Sequence, residues 1–305
     1  MSAAAEGSPA QASTYAGRRP LLRSDQAKGL ALVSPTFLYA LLLLGLPILL
    51  VVAYSFWSQH YLTVDRTFTL ENYRVVFTEP IYRDLLFRSL WISLVVSATT
   101  VVLAYPIAYY ISFHGGAHKG LWLFLITIPF WTSYLLRVMS WKVILGYNGV
   151  LNSALLGLGI IDEPSTAFLY NSSAVVITLT HAWAAFAILP IFLSLEKIDR
   201  SLLEAATDLG DGPMRRFLRI TLPLSVPGLV GAILIVMIPT VGDYVTPRLV
   251  GGKDGVMIST AIQTQFLKGA NWPLGAALSV ATLAAVTAMA AATVFLVRAA
   301  ARLAR

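Results

Sequence analysis

The stretch that decides how this chain is organised covers residues 201–223 and reads SLLEAATDLGDGPMRRFLRITLP. It is the longest charged segment in a chain otherwise built of apolar runs. Ser201 and Glu204 have the spacing of a capping box, in which the hydroxyl accepts from a first-turn amide and the carboxylate reaches back. Gly210 suits the left-handed conformation that ends a helix, and Pro213 suits a first helical position. The pattern therefore predicts a helix starting near Ser201, a turn, and a second helix from Pro213.

The second of these helices is predicted to carry a basic stripe. Arg215, Arg216 and Arg219 lie three and four residues apart, which places them on one helical face, while Phe217 and Ile220 supply apolar surface. A helix of this kind can lie at a membrane surface with its arginines among lipid phosphates. It can equally be held by another protein, and the residues alone leave both interpretations open.

The composition is that of an integral membrane protein. Of 305 residues, 57% are hydrophobic and 12% are charged, against about 25% charged in soluble domains. The net charge of +7 does not indicate nucleic acid, because the basic residues are spread over short loops; a positive-inside membrane protein is the simpler cause. The chain has no cysteine, which excludes disulfides, thiolate catalysis and cysteine metal sites.

Six apolar runs are long enough to cross a bilayer as helices. They lie at 29–55, 89–113, 120–136, 172–195, 222–242 and 274–297. Residues 1–28 are predicted to be a disordered tail, 29–56 the first transmembrane helix, 57–88 an external loop and 299–305 a second tail. The Gly- and Leu-rich residues 146–161 are interpreted as an external or re-entrant segment, because they are short for a span.

The charges choose the orientation of these spans. The tails, the 114–119 loop and the 196–223 segment together hold 13 of the 22 basic residues. The 13 residues are Arg18, Arg19, Arg23, Lys28, Lys119, Lys197, Arg200, Arg215, Arg216, Arg219, Arg298, Arg302 and Arg305. Both termini and the 196–223 segment are therefore predicted to be cytoplasmic.

The chain carries no motif for chemistry of its own. A phosphate-binding loop, a helical His-Glu-x-x-His pair and a nucleophile elbow are all missing from the sequence. His114 and His118 are interpreted as plain loop residues, and the lone His181 as a hydrogen-bonded interior residue and not a metal ligand. The sequence fits best a transporter subunit that depends on a partner protein to supply energy.

A family resemblance gives that partner a chemical identity. Glu204-Ala205-Ala206, Gly210, Ile220 and Leu222-Pro223 fill every position of the cytoplasmic signature of the permease subunits of binding-protein-dependent ABC importers, which this chain resembles. The resemblance runs from about residue 85 to the C-terminus. It implies an all-α membrane protein with six transmembrane helices: the type I (MetI-like) five-span permease core, residues 89–298, and an N-terminal helix.

In that family the segment at 196–223, hereafter the polar segment, forms a coupling helix held in a cleft of a cytoplasmic ATPase. The ATPase-coupling residues implied here are Glu204, Ala205, Ala206, Asp208, Gly210, Arg215, Ile220, Leu222 and Pro223. The implied partners are an ABC ATPase dimer, a second homologous permease, an extracytoplasmic solute-binding protein and the lipid bilayer. No cofactor is expected on this chain, since ATP and Mg belong to the ATPase, and the implied location is a bacterial inner membrane.

Within the family the chain is most similar to spermidine/putrescine permeases. The resemblance rests on PFWTSYLLR at 129–137, GDYVTP at 242–247, QFL at 265–267 and WPLGAA at 272–277. These motifs are less specific than the coupling signature, because permeases for iron, opines and aminoethylphosphonate share variants of them. A polyamine is the expected solute, and another small solute is the alternative.

Six residues are candidates for the substrate path: Trp131, Tyr134, Arg137, Trp141, Asp243 and Tyr244. A cation crossing a low-dielectric gap needs carboxylate or aromatic faces, which this set offers. In the competing interpretation Asp243 pairs with Arg137 or Arg248 and the tryptophans form an interfacial belt. A secondary transporter or an intramembrane enzyme is the distant alternative, and neither needs so complete a coupling signature.

Overall fold

A computed structural model describes residues 21–61 and 63–303. Within these ranges the strands form one antiparallel ribbon of β1 (Ser58–His60) and β2 (Thr63–Asp65), and most other residues are helical. The helices are α1 (Leu21–Ala40), α2 (Leu46–Ser55), α3 (Glu71–Thr78), α4 (Pro80–His114), α5 (Lys119–Thr127), α6 (Tyr134–Ile144), α7 (Val150–Gly157), α8 (Ser172–Glu196), α9 (Arg200–Asp208), α10 (Pro213–Arg216), α11 (Leu222–Gly242), α12 (Val245–Val250), α13 (Ile258–Leu267) and α14 (Trp272–Leu303).

Five helical stretches of the described chain are long and apolar enough to cross a membrane. They are Ala31–Ser55, Pro80–His114, Ser172–Glu196, Pro213–Gly242 and Trp272–Ala299. A sixth span is obtained if the bent pair Gly116–Trp131 and Tyr134–Ile144 is counted as one. The predicted class is confirmed, and the third of the six spans is the one that is broken.

The chain divides into two compact units between Leu50 and Val51. The first unit contains α1, which continues through a π turn at Leu41–Gly45 into α2. The second unit contains the end of α2, from Val51, and all later elements. The disordered tail predicted for residues 1–28 is wrong over 21–28, which are helical; residues 1–20 and 304–305 lie outside the described ranges.

Two other helices extend beyond the boundaries set from hydropathy. The second span is predicted to start at Ser89, but α4 starts at Pro80, which occupies its first turn, where a missing N–H costs nothing. The last helix continues to Leu303 instead of ending at Val297, because alanine and arginine are strong helix formers outside the bilayer as well. An apolar run therefore indicates which residues can cross the membrane, but the helix that contains them can extend further.

The prediction of a continuous third span at 120–136 is wrong. Helix α5 gives way to a 3₁₀ turn at Ile128–Trp131 with Pro129 in its first turn, and α6 leaves at an angle of 87°. Proline removes a backbone donor and clashes with the preceding turn, which accounts for the 3₁₀ turn that contains Pro129. The chain then bends at the non-helical residues Thr132 and Ser133.

The fifth span is longer than predicted and joins the polar segment without a break. Residues Pro213–Gly242 form one helical stretch of 30 residues, with a π turn at Phe217–Thr221 in which the Leu222 amide donates to the Phe217 carbonyl. Pro223 lacks an N–H and would clash with a carbonyl one α-helical turn earlier; the wider turn accommodates it. Pro227 and Pro239 are likewise tolerated inside the helix.

The core of the second unit is formed by two clusters of buried side chains. The larger one joins α4, α8 and α11 and includes Val96, Ala108, Ala187 and Val236. The smaller one joins α3, α4, α13 and α14 around the fully buried Leu278. These helices are the scaffold on which the polar segment and the broken span are mounted.

The segment at 146–161 contains the short helix α7. Asn152, 1% exposed, donates to the carbonyls of Gly146 and Ser165 and accepts from the Ser165 amide. Eight residues are too few to cross a bilayer, so α7 is not a span.

Candidate functional site

The first helix of the polar segment is capped by a residue that the sequence analysis did not select. Asp199 Oδ1 accepts from the Ser201 amide at 3.0 Å, and α9 begins at Arg200. The predicted capping box of Ser201 and Glu204 is therefore wrong, because Ser201 already lies inside the first turn. The hydrogen bond from the Ser201 backbone, followed by that from its side chain, lowers the pKa of Asp199. Glu204 is left exposed and free of the cap.

The turn after α9 is the one predicted. Gly210 has φ of +84°, its amide donates to the Thr207 carbonyl at 2.9 Å, and the Asp211 amide donates to the Ala206 carbonyl at 2.9 Å. These two bonds are those of a Schellman motif, which needs a left-handed residue at this position. No atom lies within 4 Å of a Cβ placed on Gly210. The turn is thus closed internally and open towards its surroundings.

The three arginines of the predicted basic stripe have different surroundings. Arg216 donates to the Thr207 hydroxyl at 2.6 Å, so it braces the second helix against the first. Arg219 lies 3.6 Å from Asp211 in an ion pair and is itself 76% exposed. Arg215 is exposed. Since Arg216 is used within the segment, a continuous three-arginine face is not available to lipid phosphates.

The base of the polar segment is fastened to the end of α4 and the start of α5. Glu196 accepts from Lys119 Nζ at 2.6 and 2.9 Å and from the Ser112 hydroxyl at 3.3 Å. Arg200 donates to the Ser112 carbonyl at 3.3 Å. The sequence analysis missed these contacts. The signal available was the opposite charge of Lys119 and Glu196 in two loops predicted to lie on one side of the membrane.

The coupling residues inferred from the resemblance form an exposed set and a packed set. Glu204, Ala205, Asp208, Gly210 and Arg215 are exposed. Ala206 and Pro223 are buried, and Ile220 and Leu222 are half-buried.

Two large apolar side chains stand out from this polar surface. Leu209 is 87% exposed and Met214 is 69% exposed, on either side of Gly210. Apolar side chains this exposed on a polar segment are available to pack against a binding partner.

The candidate path residues gather where the broken span meets the end of α11. The Tyr134 hydroxyl donates to Asp243 Oδ2 at 2.5 Å and lies 2.7 Å from the Thr246 hydroxyl. Asp243 Oδ1 accepts from the Val245 amide at 2.9 Å, at the start of α12. The Ser259 hydroxyl of α13 donates to the Asp243 carbonyl at 2.6 Å. We call these four side chains, Tyr134, Asp243, Thr246 and Ser259, the Tyr134–Asp243 junction.

Arg137 does not pair with Asp243. Its guanidinium donates to the carbonyls of Pro129 at 3.0 Å and Thr132 at 3.3 Å, and lies 4.5 Å from the centre of the Phe130 ring. Among residues 21–61 and 63–303, neither Arg137 nor Arg248 forms an ion pair with Asp243. The competing interpretation of Asp243 as an ion-pair partner is therefore wrong. Arg137 instead donates hydrogen bonds to backbone carbonyls beside the break between α5 and α6.

The remaining candidates present aromatic surface. Trp131 is 75% exposed and Tyr244 is 41% exposed. Trp141 is half-buried and donates from Nε1 to His181 Nδ1 at 3.1 Å. The hydrogen-bonded role predicted for His181 is confirmed, but its side chain is exposed and not interior.

The sequence of this chain matches a family of known proteins. The family model "Binding-protein-dependent transport system inner membrane component" matches residues 30–305. The chain is 38% identical over 243 residues to the spermidine/putrescine transport system permease protein PotB of Salmonella typhimurium strain LT2, covering 79% of this chain and 84% of that one. It is 36% identical over 254 residues to PotB of Haemophilus influenzae, covering 81% and 86%.

A solved structure shares the fold. A chain of a bacterial ABC transporter involved in the import of the acidic polysaccharide alginate superimposes with a TM-score of 0.68 at 18% identity, covering 92% of this chain and 98% of that one. This likeness concerns the fold alone. The family match, in contrast, covers nine-tenths of the sequence. The chain therefore belongs to the inner-membrane components of binding-protein-dependent transport systems and is a non-catalytic, multi-pass permease subunit.

Proposed function

We propose that this permease carries polyamines of the spermidine and putrescine class across the inner membrane, after delivery by an external binding protein. The observation that carries the proposal is the 36–38% identity to polyamine permeases over most of both chains. Exposed aromatic faces at Trp131 and Tyr244 support it, because π faces attract organic cations without a fixed counter-charge.

The polar segment is the proposed docking site of a cytoplasmic ATPase dimer that binds ATP and Mg. Leu209 and Met214 supply exposed apolar area, while Glu204, Asp208 and Arg215 supply charge around it. The open side of Gly210 admits a close approach. Because Pro213–Gly242 is a single helical stretch, movement of the docked segment is passed directly to the fifth span.

A second, homologous permease supplies the other half of the path in this proposal. Trp131, Tyr244 and Trp141 line this chain's half, while Tyr134, Arg137 and Asp243 hold the elements beneath them in place. The two permeases form a heterodimer with both termini in the cytoplasm.

Uptake by the assembled transporter tests the substrate class. The chain is reconstituted in proteoliposomes with its co-purifying ATPase and second permease, and with the external binding protein. We expect ATP-dependent accumulation of radiolabelled spermidine that excess putrescine reduces. Accumulation of an opine or a phosphonate, with no competition by either polyamine, would overturn the proposal.

Cysteine labelling tests the orientation, and the cysteine-free sequence makes each introduced thiol unique. Leu209→Cys is expected to react with an impermeant maleimide only in inside-out vesicles, whereas Leu158→Cys, 72% exposed just after α7, is expected to react in intact cells. The reverse pattern would place the polar segment outside.

A further inference from the structure

We propose that the Tyr134–Asp243 junction is a mechanical link that transmits movement of the fifth span to the broken third span, and that Asp243 acts as a positioning residue and not as a ligand for the transported cation. This inference rests on the proposed function, because it concerns how that transport is coupled to ATP hydrolysis.

The position of Asp243 in the chain connects it to the polar segment. It is the residue that ends the helical stretch Pro213–Gly242, whose other end is the polar segment. Any displacement of that helix along or across its axis therefore arrives at Asp243. Asp243 lies in a break of only two residues before α12, and its Oδ1 ties it to α12 by accepting from the Val245 amide.

Asp243 also joins several elements of the fold. Its side chain reaches Tyr134, the first residue of α6, and its backbone carbonyl is held by Ser259 of α13. Thr246, fully buried on α12, closes the contact through the same tyrosine hydroxyl. Four helices thus meet at one residue, and in this proposal α6, which follows a bend of 87°, is the one that Asp243 moves.

The Asp243 carboxylate has little hydrogen-bonding capacity left for a transported cation. Oδ2 accepts the short hydrogen bond from Tyr134, and Oδ1 accepts from the amides of Val245 and Thr246. A carboxylate satisfied by three donors gains less from a passing ammonium group than a bare one, since a direct contact would have to displace a donor. Hydrogen bonds to a carboxylate are also stronger than those between neutral groups, which suits a contact that must transmit movement.

Four variants separate the link from a ligand role. Tyr134→Phe removes the donor, Asp243→Ala removes the acceptor, and Asp243→Asn keeps a side-chain oxygen for the α12 amides and an NH₂ for the tyrosine oxygen. Tyr82→Phe is the control, because the Tyr82 hydroxyl is also half-buried and hydrogen-bonded, to Gln265 at 2.9 Å, and this bond does not involve Tyr134 or Asp243.

The measurement is spermidine uptake and ATP hydrolysis by the reconstituted complex with loaded binding protein. We expect Tyr134→Phe and Asp243→Ala to lower the maximal uptake rate about ten-fold with KM for spermidine within two-fold of the wild type, while basal ATP hydrolysis persists. Asp243→Asn and Tyr82→Phe are expected to retain most of the rate. The double variant Tyr134→Phe, Asp243→Ala should lose less than the product of the two single losses, since both changes remove the hydrogen bond between Tyr134 and Asp243.

The contrary outcomes are distinct. A raised KM in Asp243→Asn with normal coupling in Tyr134→Phe would make Asp243 a substrate ligand and overturn the link. A wild-type complex that hydrolyses ATP but imports no polyamine would refute the proposed function; substrate-stimulated ATP hydrolysis with its own solute would then still test the link.

Discussion

Gly228 of α11 lies directly against the backbone of Pro190 in α8. A Cβ placed on Gly228 would stand 2.5 Å from the Pro190 carbonyl oxygen and 2.5 Å from Ser194 Cβ, closer than real atoms approach. The two helices therefore pack backbone to backbone here, as small residues permit in membrane bundles. We predict that Gly228→Ala destabilises the protein by about 1–3 kcal/mol through overpacking, measured as thermal unfolding in detergent.

The matched control for this change is on the same helix. Gly231→Ala introduces a Cβ whose nearest neighbour is 3.6 Å away, an ordinary contact. It shares the helix-propensity gain of the alanine without the collision, so it should leave stability unchanged or slightly raised. Equal effects of the two substitutions would contradict a close helix crossing at Gly228.

Gly210 and Gly212 form a second matched pair, in the polar segment. Both have open space around them, but only Gly210 has a positive φ, +84°, against −67° at Gly212. A left-handed conformation costs an alanine roughly 1–2 kcal/mol. We expect Gly210→Ala to lower ATP-driven uptake about five-fold or more and Gly212→Ala to leave it near normal; similar rates for both would remove the turn from the mechanism.

The cap of α9 can be identified by exchanging its two candidates. Asp199→Ala should lower the thermal stability of the purified protein, Asp199→Asn should retain it because asparagine caps equally well, and Ser201→Ala should change little. The lowered pKa of Asp199 means that its folded-state contribution is complete above the usual aspartate pKa and is lost as the pH falls through the lowered value. The Asp199→Ala difference should therefore disappear in strong acid. A larger loss in Ser201→Ala would restore the capping box.

The ion pair of Lys119 with Glu196 is expected to contribute modestly. Its side chains are 24% and 41% exposed, so solvent screening limits it to about 1 kcal/mol or less. Glu196→Gln should lower thermal stability at low salt, and the difference should shrink at 1 M salt. The exchange Lys119→Glu with Glu196→Lys should recover part of the loss. Glu163→Gln, at an exposed loop glutamate outside the ion pairs of the described chain, controls for removal of a negative charge alone.

Local backbone preference accounts for what could be predicted from the sequence. Gly210 can adopt the positive φ that other residues avoid, and Pro213 has a fixed φ suited to a first helical turn, so the turn between α9 and α10 follows from their identities. Pro129 carried the same kind of information about the broken span, but a proline inside an apolar run is compatible with both a kink and a continuous helix, as Pro227 and Pro239 demonstrate in α11. Only the surrounding packing decides between these outcomes.

The contacts that the sequence did not predict join residues far apart in the chain. Lys119 and Glu196 are separated by 77 positions, and Tyr134 and Asp243 by 109. Both members of the second pair were selected as path residues for their chemistry, yet nothing in their local sequence indicates that they satisfy each other. Asp199 was missed for a different reason: several polar residues near a helix start can each act as the cap, and the geometry of one turn chooses among them.

The unbroken helix from Pro213 to Gly242 also sets a scale of movement. Thirty residues at a rise of 1.5 Å each give a rod of about 45 Å, so a tilt of only 5° about one end sweeps the other through roughly 4 Å. A hydrogen bond tolerates a few tenths of an ångström before it fails. The contact between Tyr134 and Asp243 must therefore either travel with such a tilt and displace the broken span, or break and release it, so a small rotation at the polar segment has a large effect at the other end of the helix.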